Sequence, residues 1–188
     1  MSVIFIGEKY IKDTSYIDEN VDIKLLRNAI LESQDMRIRT IIGTGLYDEL
    51  GTQITANTKT ALNTTLLNTY IAPALKYWVL HDASLMLTFK IMNKSIVKRN
   101  SENTETIQTP DLDRLMDWFK TRAEFYSDRV TRYLIENETS YPLYMDAGSG
   151  VDTVHPKKNN YTQGLHLGGS QLRDWDIDFD IDLGKLNY

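Results

Sequence analysis

Alternating aspartates near the C-terminal end are the residues whose type and spacing most resemble a chemical site. Every second residue from Asp174 to Asp182 is an aspartate. A calcium-binding EF-hand loop uses oxygens at alternate positions, but it also needs a glycine at its sixth position and a closing glutamate. Here Phe179 occupies the sixth position, and no glutamate follows. The pattern therefore does not predict a calcium site, and repulsion along an acidic face instead discourages unwanted strand pairing.

The remaining residue types suited to catalysis are scattered. His81, His155 and His166 lack partners at metal-ligand spacing, and the chain has 0 cysteines, which excludes thiolate nucleophiles and cysteine metal sites. The sequence contains no phosphate-binding glycine loop and no nucleophile elbow. We therefore predict a protein that is not an enzyme and that binds neither a metal nor another cofactor.

One small basic cluster leaves two interpretations open. Lys94, Lys98 and Arg99 lie in a polar stretch, where they form either a solvated loop or a contact for DNA or an acidic partner. The second interpretation describes a different class of protein, a DNA-binding or regulatory helical module. The formal net charge of -5 argues against a main role in binding the phosphates of a nucleic acid, because such binding requires a clustered basic face.

The aspartates alternate with apolar side chains, and a period of two is typical of a strand with two unlike faces. The apolar members, which we predict to bind a partner, are Trp175, Ile177, Phe179, Ile181 and Leu183. A lone strand is not stable in water, so strand 174–183 must pair with an edge in its own subunit or in a neighbour.

The pattern of the rest of the chain predicts helices that pack around one central apolar segment. Leu62 to Met92 has apolar residues at helical steps on almost every side, which predicts a buried central helix with a kink at Pro73. Lys76, His81 and Asp82 interrupt it, so it is a poor membrane span.

Shorter patterns predict the flanking elements. They are an edge strand over Ser2–Ile6, a loop over Glu8–Asn20, a helix over Val21–Ile42, a short helix ending at Gly51, a polar loop over Gln53–Thr60, an exposed loop over Asn93–Thr109 and a helix over Pro110–Asn137. The last helix should pack along the central one, with Trp118 and Phe125 widening its apolar side.

These elements define a mainly α fold of about four helices, with a short N-terminal strand and an extended C-terminal arm that contains a β-strand. Residues 1–145 form the helical domain, and residues 146–188, rich in glycine, form the arm. Gln34 interrupts the apolar face of the first helix. It is either a hydrogen-bonded glutamine or, with Asp35, part of a subunit interface, since polar residues can fix how helices pair.

Several short segments occur in a familiar order. They are Tyr10-Ile11-Lys12, Asn20-Val21-Asp22, Gln34-Asp35, Ile42-Gly43-Thr44-Gly45-Leu46-Tyr47, Tyr70-Ile71-Ala72-Pro73-Ala74-Leu75, Ala123-Glu124-Phe125-Tyr126 and Tyr141-Pro142-Leu143-Tyr144. Together they resemble the head–tail connector, or adaptor, proteins of tailed bacteriophages, notably those of crAss-like and related phages. The resemblance covers about residues 5–145.

This resemblance implies a structural virion protein at the head–tail junction, made in the host cytoplasm. Connectors of this kind are small helical bundles, about twelve copies of which form a closed ring below the portal. The ring continues the DNA channel without binding DNA specifically. Its implied partners are copies of itself, the portal protein, and tail proteins or a further connector ring; no membrane is involved.

Overall fold

The computed structural model describes residues 3–92, 95–98, 107–146 and 148–156. Within these ranges the protein is mainly helical, as predicted. The elements in chain order are α1 (Glu8–Thr14), α2 (Ile23–Ser33), α3 (Arg39–Ile42), α4 (Thr44–Ala56), α5 (Ala61–Thr65), α6 (Ala72–Thr88), β1 (Phe89–Met92), β2 (Ser95–Lys98), α7 (Thr109–Glu136) and α8 (Pro142–Met145). The described residues up to Pro156 belong to one compact unit, Met1–Lys157.

The first predicted helix, Val21–Ile42, is present, but its first residue differs from the prediction and its α-helical geometry is interrupted. The helix begins two residues later than predicted, at Ile23, and Asp22 caps it by accepting a hydrogen bond from the Lys24 amide at 2.8 Å. A π segment, Gln34–Ile38, then joins α2 to α3. A π segment inserts one extra residue into a helical turn, so side chains beyond it face a new direction.

The predicted central helix is present with many buried residues, but it ends at Thr88, earlier than predicted. A second π segment, Leu66–Ile71, joins α5 to α6 and directly precedes Pro73. Since proline has no amide hydrogen, a locally rearranged ladder is one way to accommodate it within a continuing helix. α6 packs against α2 on one side and α7 on the other, and its buried residues include Leu75 and Val79.

Residues at the C-terminal end of the predicted central helix form a strand instead. β1 pairs antiparallel with β2, with Phe89 opposite Lys98 and Met92 opposite Ser95. The prediction of helix to Met92, followed by an exposed loop over Asn93–Thr109, was therefore wrong for both strands. Aromatic and β-branched residues are common in this stretch, and they favour strands over helices.

The N-terminal predictions were also wrong. Residues 3–6 form no strand, and α1 lies within the stretch Glu8–Asn20 that we predicted to be a loop. α1 spans 7 residues, which is too short to be stable alone, and the burial of Ile11 holds it on the core. α4 likewise extends to Ala56, beyond the predicted end at Gly51.

Residues 150–156, which the sequence places in the arm, contact the helical body. The Thr44 amide donates to Val154 O at 3.0 Å, and Thr44 Oγ1 accepts from the Val154 amide at 2.9 Å. Gly43 lies beneath this contact with φ of 79° and ψ of 160°. A Cβ there would lie 2.8 Å from Pro156 Cδ, so both the backbone conformation and the close approach require glycine.

Candidate interaction surface

α7 has three faces, and their residues follow from helical spacing. Its core face carries Leu112, Phe119, Ala123, Val130 and Leu134, all buried. With about 100° between successive residues, two further rows of side chains run along the flanks of this core face. One flank is acidic: Asp113, Asp117, Glu124 and Asp128. The other, which we call the arginine–aromatic stripe, consists of Arg114, Trp118, Arg122, Phe125, Arg129 and Arg132.

The aromatic residues of this stripe are exposed. Trp118 is 36% exposed and Phe125 60%, and the neighbouring Leu115 is 39% exposed. We expected Trp118 and Phe125 to widen the apolar side of the helix, but they lie on a separate flank from its buried residues, and no element of the described chain covers Phe125. Aromatic side chains are enriched at surfaces where proteins contact other macromolecules, which makes this flank a candidate interaction surface.

Arg122 is held against Trp118 before any partner arrives. Its guanidinium carbon lies 3.4 Å from the centre of the indole ring, and its Nη1 donates to Trp118 O at 3.3 Å. Arg129 is held similarly, 5.6 Å from the rings of both Tyr70 and Tyr126. Because these side chains are already ordered, binding a partner costs them less conformational entropy.

The arginines of the stripe have no acidic partner within the subunit. Among the residues that the structure describes, Arg114, Arg122, Arg129 and Arg132 form no ion pair with a carboxylate. Arginine, tryptophan and tyrosine are the residues that most often dominate binding energy at protein interfaces. The stripe therefore combines the residue types and the free charge of a protein-binding surface.

An apolar groove of about 640 Å³ borders the stripe where α6 and α7 meet. Its lining includes Leu80, Leu87, Phe119 and Trp118. Tyr16, which is 84% exposed, also lines it, with its ring centre 6.2 Å from that of Trp118. The groove thus extends the apolar part of the same surface.

A second groove, which we call the acidic groove, lies between α2, the first π segment and α4. It has a volume of about 1060 Å³, and Glu32, Asp35 and Asp48 carry the charge along it. Its apolar lining comes from Val3, Phe5, Leu31, Met36 and Tyr47. Within the described part of the chain, Glu32 and Asp48 form no ion pair, whereas Asp35 pairs with Arg39 at 3.3 Å.

Gln34, a predicted interface residue, lies at the base of the acidic groove and is only 1% exposed. Its Oε1 accepts from the Phe5 amide at 2.8 Å, and its Nε2 donates to Val3 O at 2.9 Å and to Tyr47 Oη at 2.8 Å. Burial raises the pKa of Tyr47, so its hydroxyl is neutral at physiological pH. These three bonds give the buried side chain of Gln34 hydrogen-bonding partners within its own chain.

Asp35, the other predicted interface residue, has a side chain that is 60% exposed. Arg39 joins it to Asp152, with its Nη2 3.1 Å from Asp152 Oδ2. Asp35 is thus available at the surface. The predicted partner-binding residues Trp175, Ile177, Phe179, Ile181 and Leu183 lie outside the described residues, as do the side chains of Lys94, Lys98 and Arg99.

A serine, an aspartate and a histidine meet between α2 and α6, but not in a catalytic order. Ser33 Oγ donates to Asp82 Oδ2 at 2.6 Å, and His81 Nδ1 lies 2.8 Å from Asp82 Oδ1. In a hydrolytic triad the histidine lies between the nucleophile and the acid, so that it can remove the serine proton. Here the aspartate lies between them, and the arrangement joins two helices.

Sequence reasoning missed both the stripe and the Ser33–Asp82–His81 contact. The stripe had a signal, since its residues recur at steps of three and four along α7. The polar contact had none, because Ser33 and Asp82 are 49 positions apart and no local pattern links them. In the described part of the chain there is also no group of three or more His, Cys, Asp or Glu residues that could hold a metal ion.

The described residues form a mainly helical protein, and its candidate interaction surfaces are the arginine–aromatic stripe and the acidic groove. The described residues contain no helix that is long and apolar enough to cross a membrane. The chain belongs to a family described as a family of unknown function (DUF6712), whose model matches residues 38–154. No curated protein and no solved structure matches the chain.

Proposed function

We propose that this chain is a structural virion protein, a head–tail connector that forms an oligomeric ring below the portal of a tailed bacteriophage. The ring continues the DNA channel and gives tail proteins or a further connector ring a docking surface. The ordered series of segments that resembles connectors supports this proposal, and the helical fold of the described residues is the kind of fold the resemblance implies.

The exposed arginine–aromatic stripe is the single observation that carries the proposal. Trp118 and Phe125 are exposed together on one flank of the longest described helix, and neighbouring exposed aromatic side chains are typical of a surface that a partner covers. A ring subunit needs such a surface, because each copy must bury part of it against a neighbour. No catalytic role is proposed, and no metal or other cofactor is required.

The C-terminal arm supplies the second contact in this proposal. Strand 174–183 adds to a sheet edge of the portal or of a neighbouring subunit, and its apolar residues fill pockets there. Full burial of each apolar side chain contributes roughly 1.5–3 kcal/mol before the cost of ordering the arm. Its aspartates remain on the opposite face and discourage pairing with incorrect strands.

Deletion of the arm tests this function. We expect a variant lacking residues 171–188 to keep its helical circular dichroism spectrum but to lose incorporation into particles formed with the cognate portal protein. Mass photometry of the portal alone, the chain alone and their mixture gives the result. With the complete chain, the portal particle should gain a whole-number multiple of 21.7 kDa.

The matched control removes only residues 184–188, which follow the predicted strand. This shorter deletion should leave incorporation unchanged. Normal incorporation of the variant that lacks residues 171–188 would refute the role of the arm, and a complete chain that never binds the portal would refute the connector function.

A further inference from the structure

We propose that the arginine–aromatic stripe of one subunit binds in the acidic groove of a second copy of the same chain. This inference rests on the proposed ring, and it specifies which two faces meet. The stripe and the groove are different surfaces, so the contact is heterologous: the stripe of each copy binds the groove of the next copy. Repetition of a heterologous contact closes a ring when the rotation between copies permits it.

Charge is the first argument for this pairing. The stripe carries four arginines that lack acidic partners in the described part of the subunit. The acidic groove carries Glu32 and Asp48, which also lack cationic partners there, and the exposed Asp35. Bringing the two surfaces together pairs both sets of charges, whereas stripe against stripe would place arginines against arginines.

Apolar character is the second argument. The acidic groove has an apolar lining, in which Met36 is 55% exposed, and a volume of about 1060 Å³. That space is sufficient for aromatic side chains such as Trp118 and Phe125. The acidic flank of α7 offers carboxylates but lines neither of the two grooves, so it would satisfy the arginines while giving Phe125 less apolar surface than the acidic groove does.

The structure of each face favours a defined contact. Arg122 is already stacked on Trp118. Gln34 fixes residues 3–5 along the groove through two hydrogen bonds and donates a third to Tyr47 Oη. Surfaces that are ordered before binding lose less entropy when they associate. Methionine adds adaptability, since its unbranched side chain adjusts to the shape of an incoming aromatic ring.

A complementation experiment tests the pairing. The stripe variant combines Arg122→Ala with Phe125→Ser, and the groove variant combines Glu32→Lys with Asp48→Lys. The altered stripe thus gains no negative charge that could pair with the lysines of the altered groove. Each variant retains one intact face. We expect the wild-type chain to form larger assemblies as its concentration rises, and each variant alone to remain at 21.7 kDa in analytical ultracentrifugation. An equimolar mixture should form a species of twice that mass and nothing larger, because only one compatible pair of faces remains.

A third variant controls for general charge effects. Asp117→Lys with Glu124→Lys changes the acidic flank of α7 by the same charge as the groove variant, and it should assemble like the wild type. Circular dichroism confirms that all variants keep their helices.

Three results would overturn the inference: variants that still assemble alone, a mixture that stays monomeric, or a wild-type chain that stays monomeric at every concentration. If the wild-type chain nevertheless joins portal particles, the connector function stands and only the assignment of the two faces fails.

Discussion

Replacement of Gln34 by methionine should destabilise the protein only through the loss of the hydrogen bonds that the glutamine side chain makes. Methionine has a similar length and fills the same space, so Gln34→Met leaves little cavity. It removes the acceptor of the Phe5 amide and the donor to both Val3 O and Tyr47 Oη. The bond partners are half-buried, so water from the groove can reach them, and each lost bond should cost about 1 kcal/mol. The expected loss is therefore about 3 kcal/mol in the free energy of unfolding.

Urea unfolding followed by circular dichroism measures this loss, and hydrogen exchange locates it. The Phe5 amide should exchange faster in Gln34→Met, because its bond to the side chain is gone. Asn28→Ala is the matched control, since Asn28 is an exposed amide on the same continuous helix and its loss should change stability by less than about 0.5 kcal/mol. Equal stability of Gln34→Met and the wild type, with unchanged exchange at Phe5, would refute the proposed role of the glutamine.

Gln34→Glu adds a pH dependence with a defined sign. The carboxylate can accept from the Phe5 amide, but it cannot donate to Val3 O, and burial penalises its charge. The folded-state pKa of the new carboxyl should therefore lie above its unfolded value of about 4.3. Relative to wild type at the same pH, the variant should be least stable at neutral pH and should recover as the pH falls through the folded-state pKa. A difference from wild type that does not change with pH would contradict this account.

Two further predictions concern Gly43 and the basic cluster. Gly43→Ala should lower the free energy of unfolding by about 1–3 kcal/mol in urea, because Gly43 has a positive φ and a Cβ there would contact Pro156. Gly51→Ala should raise the free energy of unfolding by about 0.5–1 kcal/mol, because Gly51 lies within α4 with open space around it. Equal effects at the two glycines would contradict the special role of Gly43. The connector proposal also predicts no gel shift of DNA at low salt; a shift that weakens with salt and is lost in Lys94→Gln, Lys98→Gln, Arg99→Gln would instead support the DNA-binding alternative.

Where local signals agreed, the sequence predicted the fold well. Thr109-Pro110-Asp111 carries a capping residue, an early proline and an acid in the first turn, and α7 begins at Thr109. Gln108 occupies the N-cap position, and its side chain makes no capping hydrogen bond. The apolar character of α6 also predicted its central position, because a helix that is apolar on most sides must be covered on most sides.

The failures occurred where tertiary contacts override local preference. α1 depends on burying Ile11, and a segment of that length carries no readable helical period. The π segment that begins at Gln34 adds one residue to a helical turn. The apolar residues after it therefore no longer follow the regular helical spacing on which the sequence prediction depends. The buried glutamine and the π segment coincide, and together they bring the N-terminal residues against α2.

The arginine–aromatic stripe shows why surfaces are harder to predict than cores. Periodicity places Trp118 and Phe125 on a flank of α7, but it cannot show whether another element covers that flank. In the structure Phe125 is uncovered, and the arginines beside it have no acid among the described residues. The same helix carries carboxylates on its other flank, so their absence from the stripe is a local feature rather than a result of composition. An apolar and cationic row on α7 and an apolar and acidic groove elsewhere on the same chain are two complementary faces, which is the kind of arrangement that a head-to-tail contact uses.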